Sequence, residues 1–415
     1  MTSSSGLPRL SRRALLGSAG AAGLAVGAVG GALGQQALAA PAAGTGGSTG
    51  AALGRATIPF HGPRQAGILQ PAQARVQLAA FDLADGAGGT GSRDGLRKLL
   101  RQWSATAARL ARGEDAPSAE NQIARDAGPC SLTVTFGFGA SLFDKTGLTD
   151  RRPAALAPLP DFPEDAIDRA RSDGDLWVQI GADDALVAFH ALRVLQRQAA
   201  GTATLRWQMA GFGRTPGATP HPMTGRNLMG QVDGTNNPKP GQDGFEEKIF
   251  TGGDGWFAGG TYAVVRRIRM LLDNWENLPT DRQERVIGRR KSDGAPLSGG
   301  TETTAVDLTA RGADGALAVP ADAHIRVAAP GSNGGAAMLR RGFSYADGVL
   351  ADGSPDAGLL FVAFQADPMK GFVPVQRKLA RGDGLSRFIR HESSGLYAVP
   401  PGAPEGGYVG QALLD

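Results

Sequence analysis

The sequence predicts an α+β protein made of two ferredoxin-like modules in tandem, each with an antiparallel sheet and flanking helices. Three observations support this prediction. Several short segments alternate between apolar and polar residues, as half-buried strands do. Longer segments with apolar residues on one helical face lie between them. The resulting order, β-α-β-β-α-β, is found in residues 57–215 and returns more loosely in residues 216–415.

The first half has the clearer pattern. Residues 74–83 alternate as a strand does, and Ser92 is placed to cap the amphipathic helix that follows. A second helix is predicted to begin at Asp184 and to reach Gln198. The other strands predicted in this half are 132–138, 176–180 and 203–212.

The second half repeats this order with a long insertion. Strands are predicted at 261–270, 324–328, 339–345 and 359–365, and helices at 271–278, 281–287 and 373–380. Residues 289–322 are rich in Gly, Ser and Thr and form a long connection, and connections of that kind often carry function. We predict the boundary between the two halves near residues 215–258.

The first forty residues are predicted to be an export signal and not part of the fold. Arg12 and Arg13 precede a modestly apolar, uncharged stretch, and Ala-Leu-Ala at 37–39 offers a small-residue cleavage site. Glycine dilutes this stretch too much for a stable membrane span. We therefore expect residues 1–40 to be a cleaved twin-arginine signal and residues 41–56 a flexible leader. The mature protein is then periplasmic or extracellular.

The charge and the cysteine content exclude several classes of protein. The formal net charge is +4, and it falls to +1 without the three arginines of the export segment, so the body lacks the basic character of nucleic-acid-binding proteins. Cys130 is the only cysteine. The chain therefore cannot form an internal disulfide, a thiolate zinc site or an iron–sulfur cluster. Five histidines remain as candidate metal ligands.

Three short motifs contain residues suited to chemistry. In residues 230–238, Asp233 lies between glycines that allow a flat ligand to approach the backbone, although the same residues are typical of a turn. His324 begins a segment with an arginine two residues later, on the same face of a strand, although a lone histidine is commonly structural. Arg340 and Arg341 would point to opposite faces of a strand, so one of them points inward and needs an anionic partner.

Together these motifs resemble the dye-decolorizing peroxidase family, in particular its twin-arginine-exported branch that includes deferrochelatase/peroxidase proteins. The family pattern Gly-x-x-Asp-Gly matches Gly230 to Gly234, its His-Ile-Arg segment matches at His324, and its Arg-x-Gly segment matches at Arg340. Further matches run along residues 57–415, and the order of Asp, His and Arg is also the family's. This combination is more specific than any single motif.

The resemblance implies a pair of ferredoxin-like modules of the dimeric α/β-barrel type, with one haem b held mainly by the second module. The haem is not covalently attached, since the chain contains no Cys-x-x-Cys-His. The resemblance implies that His324 is the proximal iron ligand, Asp233 the acid/base for hydrogen peroxide and Arg340 the stabiliser of developing charge.

Other residues are predicted to surround the haem. Asp307 is a candidate for the carboxylate that hydrogen-bonds to His324. Phe361 and its neighbour Leu360 are candidates for a dry distal wall, although ordinary core packing would explain them equally well. The remaining candidates are Arg326, Gly234, Thr235 and Asn236 for the propionates, and Ala329 and Pro330 in the segment after the histidine.

The implied function is that of an exported haem peroxidase that reduces hydrogen peroxide while it oxidises dyes, phenols or other bulky organic or metal donors by one electron. Bulky donors would transfer electrons through surface aromatic residues, but no feature chooses among five Trp and four Tyr. The resemblance allows a homodimer. Two alternatives use the same haem site, namely release of iron from haem by a deferrochelatase and haem binding without catalysis. A third, an exported binding protein for a small anion, predicts a colourless protein.

Overall fold

The computed structural model describes residues 54–84, 92–219 and 221–415, so the predicted export segment and all but the last three residues of the predicted leader lie outside the described part. The strands are β1 (Arg75–Leu83), β2 (Thr133–Phe138), β3 (Leu176–Ala182), β4 (Ala203–Phe212), β5 (Thr261–Met270), β6 (Leu339–Arg340), β7 (Phe343–Val349), β8 (Pro355–Gln365) and β9 (Ile389–Val399). The helices are α1 (Arg93–Leu110), α2 (Ala140–Lys145), α3 (Ala185–Gln198), α4 (Phe245–Ile249), α5 (Leu272–Glu276), α6 (Thr280–Ile287), α7 (His324–Val327), α8 (Phe372–Gly382) and α9 (Gln411–Leu414). Within these ranges, no helix is long and apolar enough to cross a membrane.

The first half forms the predicted ferredoxin-like arrangement. Its strands are antiparallel and lie in the order β2-β3-β1-β4. The side chain of Ser92 accepts a hydrogen bond from Gly95 N at the start of α1, and that of Asp184 accepts from the backbone at the start of α3, as capping residues do. Both helices bury their apolar faces in one hydrophobic cluster with this sheet, where Trp103 stacks on Phe136.

The second half repeats the arrangement, and the two sheets join into one closed sheet. β5 lies between β9 and β8, and β7 and β6 pair with the other edge of β8. The pair Phe212↔Ser344 joins β4 to β7, and the pair Phe138↔Ala398 joins β2 to β9. Because the ring of strands is complete, the fold is a ferredoxin-like α+β barrel, as predicted. Apolar and aromatic side chains from both halves fill its interior.

The structure differs from the sequence prediction at three places in the second half. The predicted strand 324–328 is wrong, because His324–Val327 form the single helical turn α7. So short a segment has too few residues for its periodicity to separate a strand from a helix. The predicted strand 339–345 is divided into β6 and β7 around Arg341. The sequence analysis missed β9, because the polar residues His391–Ser394 interrupt the alternation of apolar and polar residues that marks a strand.

The outer face of the second sheet positions the site. On β8, Leu359 packs in a cluster with residues of α5 and α6, and Phe361 packs in another cluster with α8. Residues two apart on a strand share a face. Leu360 therefore faces the barrel interior, where it is fully buried, and its predicted place in a distal wall is wrong. Leu359 and Phe361 lie instead on the outer face.

A buried ion pair lies on this outer face. Arg266 of β5 lies opposite Phe361, is 1 % exposed and pairs with Asp165. Its guanidinium carbon lies 5.5 Å from the ring centre of Phe162 and 5.8 Å from that of Phe372. Within the described ranges, Nε and Nη1 of Arg266 have no hydrogen-bond partner. Burial lowers the pKa of this guanidinium, and Asp165 opposes that effect.

Replacing Asp165 with alanine is therefore expected to lower the free energy of unfolding by about 3–5 kcal/mol, because it leaves a buried charge unpaired. The double variant Asp165→Leu/Arg266→Met removes both charges and is expected to unfold close to the wild type. Urea unfolding followed by circular dichroism measures both effects. Asp144→Ala, which breaks an exposed pair with Arg152, is the control and is expected to cost less than about 1 kcal/mol. An equally small loss in Asp165→Ala would contradict this account.

Candidate active site

Asp233 and Arg340 form a direct ion pair at the end of β6. Nη1 of Arg340 donates to Oδ1 of Asp233 at 3.2 Å, and each side chain keeps 32 % of its surface exposed. Nδ2 of Asn227 donates to the other carboxylate oxygen at 3.4 Å. The backbone N–H of Asp233 donates to Gly225 O at 2.9 Å, which fixes the turn. The structure therefore brings together two residues that are far apart in the sequence, and both remain accessible to a small molecule.

Asn237 aligns the two segments that carry this pair. Its Nδ2 donates to Arg340 O at 2.7 Å, and its Oδ1 accepts from Arg340 N at 3.1 Å. The side chain thus pairs with the backbone of Arg340 as a neighbouring strand would. The sequence analysis included Asn237 only as a turn residue, and no local pattern indicates a partner 103 residues away.

The residues after Asp233 are held by the long connection. Gly234 has a φ of +119°, a conformation that favours glycine. Oγ1 of Thr235 donates to Oε1 of Glu302 at 2.9 Å, and Oγ1 of Thr224 donates to the same atom at 2.5 Å. Glu302 belongs to residues 289–322, which the sequence analysis expected to carry function. These contacts leave the backbone of residues 234–236 next to the Asp233–Arg340 pair.

Arg289 adds a buried cation near this pair. Its Nη1 donates to Gly294 O at 2.7 Å and to Glu302 O at 2.9 Å. Burial lowers its pKa, the carboxylate of Glu302 opposes that effect, and the positive charge of Arg340 adds to it. The guanidinium groups of Arg289 and Arg340 therefore make the region around them positive. Such a region suits an anionic group such as a carboxylate.

His324 is held by a buried carboxylate. Its Nδ1 lies 2.7 Å from Oδ2 of Asp383, whose side chain is 1 % exposed, whereas 30 % of the His324 side chain is exposed. Burial alone would lower the pKa of His324, but the negative charge and the hydrogen bond of Asp383 raise it. Within the described ranges, Nε2 of His324 has no hydrogen-bond partner. The imidazole is therefore oriented through one nitrogen and offers the other as a ligand.

The predicted carboxylate partner Asp307 is wrong. Its Oδ1 accepts hydrogen bonds from the backbone and hydroxyl of Thr309 and from Ala310 N, so it caps its own loop. Asp383 was missed because it follows the predicted helix 373–380. There its other oxygen caps the next turn through Leu385 N. A capping aspartate is visible in a sequence, but its contact with a histidine 59 residues away is not.

Asp383→Asn is expected to raise the reduction potential of a metal bound at His324, because it removes the negative charge behind the imidazole while it keeps the side-chain size. Activity at the metal is expected to fall by about 10–100-fold. A spectroscopic redox titration of the purified protein checks the first effect. Asp307→Asn is the matched control, and we expect it to leave the potential unchanged. An unchanged potential in Asp383→Asn would contradict the role of Asp383.

The segment after His324 is held by its own hydrogen bonds. Nε and Nη2 of Arg326 donate to the carbonyl oxygens of Leu308, Val319 and Pro320. Arg326 thus holds the long connection, residues 289–322, against α7. Its remaining nitrogen, Nη1, is available to other partners. Ala329 is extended before Pro330, as residues before proline usually are. Nδ2 of Asn333 donates to Val327 O and Ala329 O, both at 2.8 Å, and closes the turn.

The buried one of the two adjacent arginines is Arg341, but it has no anionic partner within the described ranges. It donates to the carbonyl oxygens of Gln70 and Pro71 and to Oε1 of Gln73. Burial lowers its pKa to about 10. The prediction of an inward arginine is confirmed, and its predicted need for an anion is wrong, because neutral oxygens accept its hydrogen bonds. Arg340 is the arginine with a carboxylate partner.

The site combines a carboxylate–guanidinium pair with a carboxylate-bound histidine. Both Arg340 and Asp233 act electrostatically on the pKa of His324, so the two parts lie near each other. Within the described ranges, no group of three or more His, Cys, Asp or Glu side chains is arranged to hold a metal ion. One free imidazole nitrogen instead suits a metal whose other ligands come from a flat macrocycle such as haem.

Two family models, which describe the two parts of Dyp-type peroxidases, match this chain. The model of the N-terminal part of Dyp-type peroxidases matches residues 65–213. The model of the C-terminal part matches residues 224–404, which include Asp233, His324, Arg340 and Asp383.

Individual proteins match over most of their length. A dye-decolorizing peroxidase from Thermobifida fusca is 46 % identical, and the match covers 85 % of this chain and 84 % of the relative. A deferrochelatase from Escherichia coli O157:H7 is 35 % identical, with 86 % of this chain and 87 % of the relative covered. Among solved structures, an oxyferrous complex of DtpA from Streptomyces lividans is 64 % identical, with a TM-score of 0.85 and coverage of 88 % of this chain and 99 % of that one.

Proposed function

This chain belongs to the Dyp-type peroxidase family, and from that premise we propose that it reduces hydrogen peroxide with Asp233 as acid/base, Arg340 as charge stabiliser and His324 as the iron ligand. The family makes it a haem peroxidase of the dye-decolorizing type with one non-covalent haem b. The observations that carry the assignment of residues are the direct Asp233–Arg340 ion pair and a histidine that Asp383 holds through one ring nitrogen while the other stays free.

The haem would be held from several sides by residues of the second half. Nε2 of His324 would bind the iron, and Asp383 would keep the imidazole in the required tautomer. Phe361 and Leu359, on the outer face of β8, would supply apolar side chains to the haem pocket. The propionates would take hydrogen bonds from the backbone and side chains of Gly234, Thr235 and Asn236 and from Nη1 of Arg326, with Ala329 and Pro330 at the edge of the ring.

The reduction of peroxide requires a proton to move between its two oxygens. When bound, the haem supplies the redox centre at which the O–O bond is broken. Oδ1 or Oδ2 of Asp233 would accept the proton from one oxygen and return it to the departing oxygen, which then leaves as water. Arg340 remains charged, so its Nη1 would stabilise the negative charge that develops. The ion pair at 3.2 Å holds the Asp233 carboxylate and the Arg340 guanidinium side by side, so both would act on the same peroxide molecule.

The electrons would come from dyes, phenols or other bulky organic or metal donors. The test is peroxide-dependent oxidation of an anthraquinone dye and of a phenol by the purified protein, compared with Asp233→Ala. Turnover in the wild type that is strongly reduced in the variant supports the proposal. Equal turnover in both proteins would rule out the role given to Asp233.

Release of iron from haem is the second candidate, because relatives at 35 % identity are named deferrochelatases. That reaction would use the same site, so the residues do not separate the two functions. Incubation of the haem-loaded protein with a reductant, without peroxide, separates them. Free protoporphyrin, detected by its fluorescence, would identify iron release, whereas unchanged haem supports the peroxidase.

The proposal includes export by the twin-arginine route to the periplasm or the cell exterior. It rests on Arg12, Arg13 and the uncharged stretch that follows, which lie outside the described residues. Expression of the full chain in a bacterium, followed by cell fractionation, tests it. The wild type is expected in the exported fraction in shortened form, and Arg12→Lys/Arg13→Lys in the cytoplasm at full length. Cytoplasmic retention of the wild type would contradict export.

A further inference from the structure

An open depression of about 390 Å³ lies behind the helix turn that carries His324. Arg326 and Val327 of α7 line one side, and Arg377, Lys378 and Arg381 of α8 line the other. The opposite face of α8 is buried through Phe372, Val373, Val375 and Gln376. Helix α8 therefore separates the depression from the apolar cluster around Phe361.

The charges around this depression are unbalanced. Arg377, Lys378 and Arg381 are exposed, and within the described ranges their side chains form no ion pair or hydrogen bond. No carboxylate lines the depression. Other arginines, such as the half-buried Arg97 and Arg290, pair with an aspartate three residues away. These three cations beside one concavity repel one another, and a bound anion would relieve that repulsion.

The acidic residues next to α7 and α8 in the sequence do not neutralise these cations. Asp383 directs its carboxylate to Nδ1 of His324 and to Leu385 N. Asp322 precedes α7, and its carboxylate lies against Gly384. Both acids are therefore turned toward the segment that follows α8. The depression itself remains positive.

The shape and lining select a class of ligand. A volume of about 390 Å³ lies in the range of small-molecule sites and is too small for a macromolecule. Ala321, Val327 and the alkyl stems of the arginines give it an apolar floor, with the cationic groups above. We propose that this depression binds a small organic molecule that carries two acidic groups, such as an aromatic disulfonate or dicarboxylate.

The site is adjacent to both residues of the proximal pair. Gly382, which lines the depression, immediately precedes Asp383, and Arg326 follows His324 by two residues. An occupant would therefore contact both segments that position the imidazole. This proposal does not depend on peroxide chemistry, because it concerns binding alone.

Calorimetric titration of the haem-loaded protein with naphthalene-1,5-disulfonate, without peroxide, tests the proposal. We expect saturable binding of about one molecule per chain and a loss of affinity of about tenfold or more in Arg377→Gln/Arg381→Gln, since two ionic contacts are removed. The matched control is Arg282→Gln/Arg285→Gln. It removes two exposed arginines of α6, where Asp281 and Glu284 are neighbours, and is expected to change the affinity less than twofold.

Three results would overturn the proposal. The first is the absence of saturable binding, and the second is an equal loss in both double variants, which would indicate unspecific attraction by surface charge. The third is binding by the haem-free protein alone, because the depression would then be part of the haem pocket.

Pyrophosphate, which has the charge without the apolar ring, serves as a second probe. Weaker binding of pyrophosphate supports an organic ligand, and equal binding would contradict the role of the apolar floor.

Discussion

Replacing Asp233 with alanine is expected to slow the reaction with hydrogen peroxide by about 10²–10⁴-fold, the usual contribution of a positioned acid/base group. Arg340 would lose its carboxylate partner but keep its charge, so the variant removes proton transfer and leaves charge stabilisation in place. Stopped-flow absorption of the haem-loaded protein, mixed with peroxide under pseudo-first-order conditions, gives the rate constant directly. The folded state is checked by circular dichroism.

Two further variants make this result specific. Asp233→Asn keeps the size of the side chain and an oxygen for Arg340, but it cannot carry the proton, so it is expected to be as slow as Asp233→Ala. Asp243→Ala removes an exposed carboxylate from the same segment and is expected to react as fast as the wild type. A fast Asp233→Asn variant would show that the carboxylate positions Arg340 and does not transfer a proton.

Replacing His324 with alanine is expected to abolish peroxidase activity and to reduce the haem content of the purified protein. The variant removes the one imidazole that Asp383 orients, so the iron loses its protein ligand. The loss is expected to exceed the ~10–100-fold effect of changing a residue that only supports a ligand. Haem is quantified by the pyridine haemochrome assay, and activity is measured with a phenolic donor.

The control for this variant is His221→Ala, which changes an exposed histidine whose backbone oxygen, not its ring, accepts a hydrogen bond. It is expected to keep the haem and the activity. Added imidazole is expected to restore part of the His324→Ala spectrum, because it can occupy the space that the side chain leaves. Full haem content and an unchanged spectrum in His324→Ala without imidazole would show that another residue binds the iron.

The fold could be predicted from the sequence where one face of an element is buried. Strand 203–212 alternates buried and exposed residues, and its observed bounds agree with the prediction. The capped helices that follow Ser92 and Asp184 were likewise evident. Periodicity failed at α7, which is too short to show a period. It also failed at β9, where Glu392 forms an ion pair with Arg269 and interrupts the apolar–polar alternation.

The site could be predicted only in part, because its motifs are local and its supporting contacts are not. Asp233, His324 and Arg340 lie in recognisable segments, and the structure brings the three together. Asn237 and Asp383 act on partners that are 103 and 59 residues away, respectively. No pattern along the chain marks such contacts, since they are created by the closure of the sheet and the packing of α8.

The central claim is that one haem, bound through His324, reacts with peroxide beside Asp233 and Arg340. The absorption spectrum of the purified, haem-reconstituted protein before and after one equivalent of hydrogen peroxide tests it most directly. We expect a Soret band that changes on mixing and returns when a phenolic donor is added. A colourless protein that cannot be reconstituted with haem, or a Soret band that peroxide leaves unchanged, would contradict the claim.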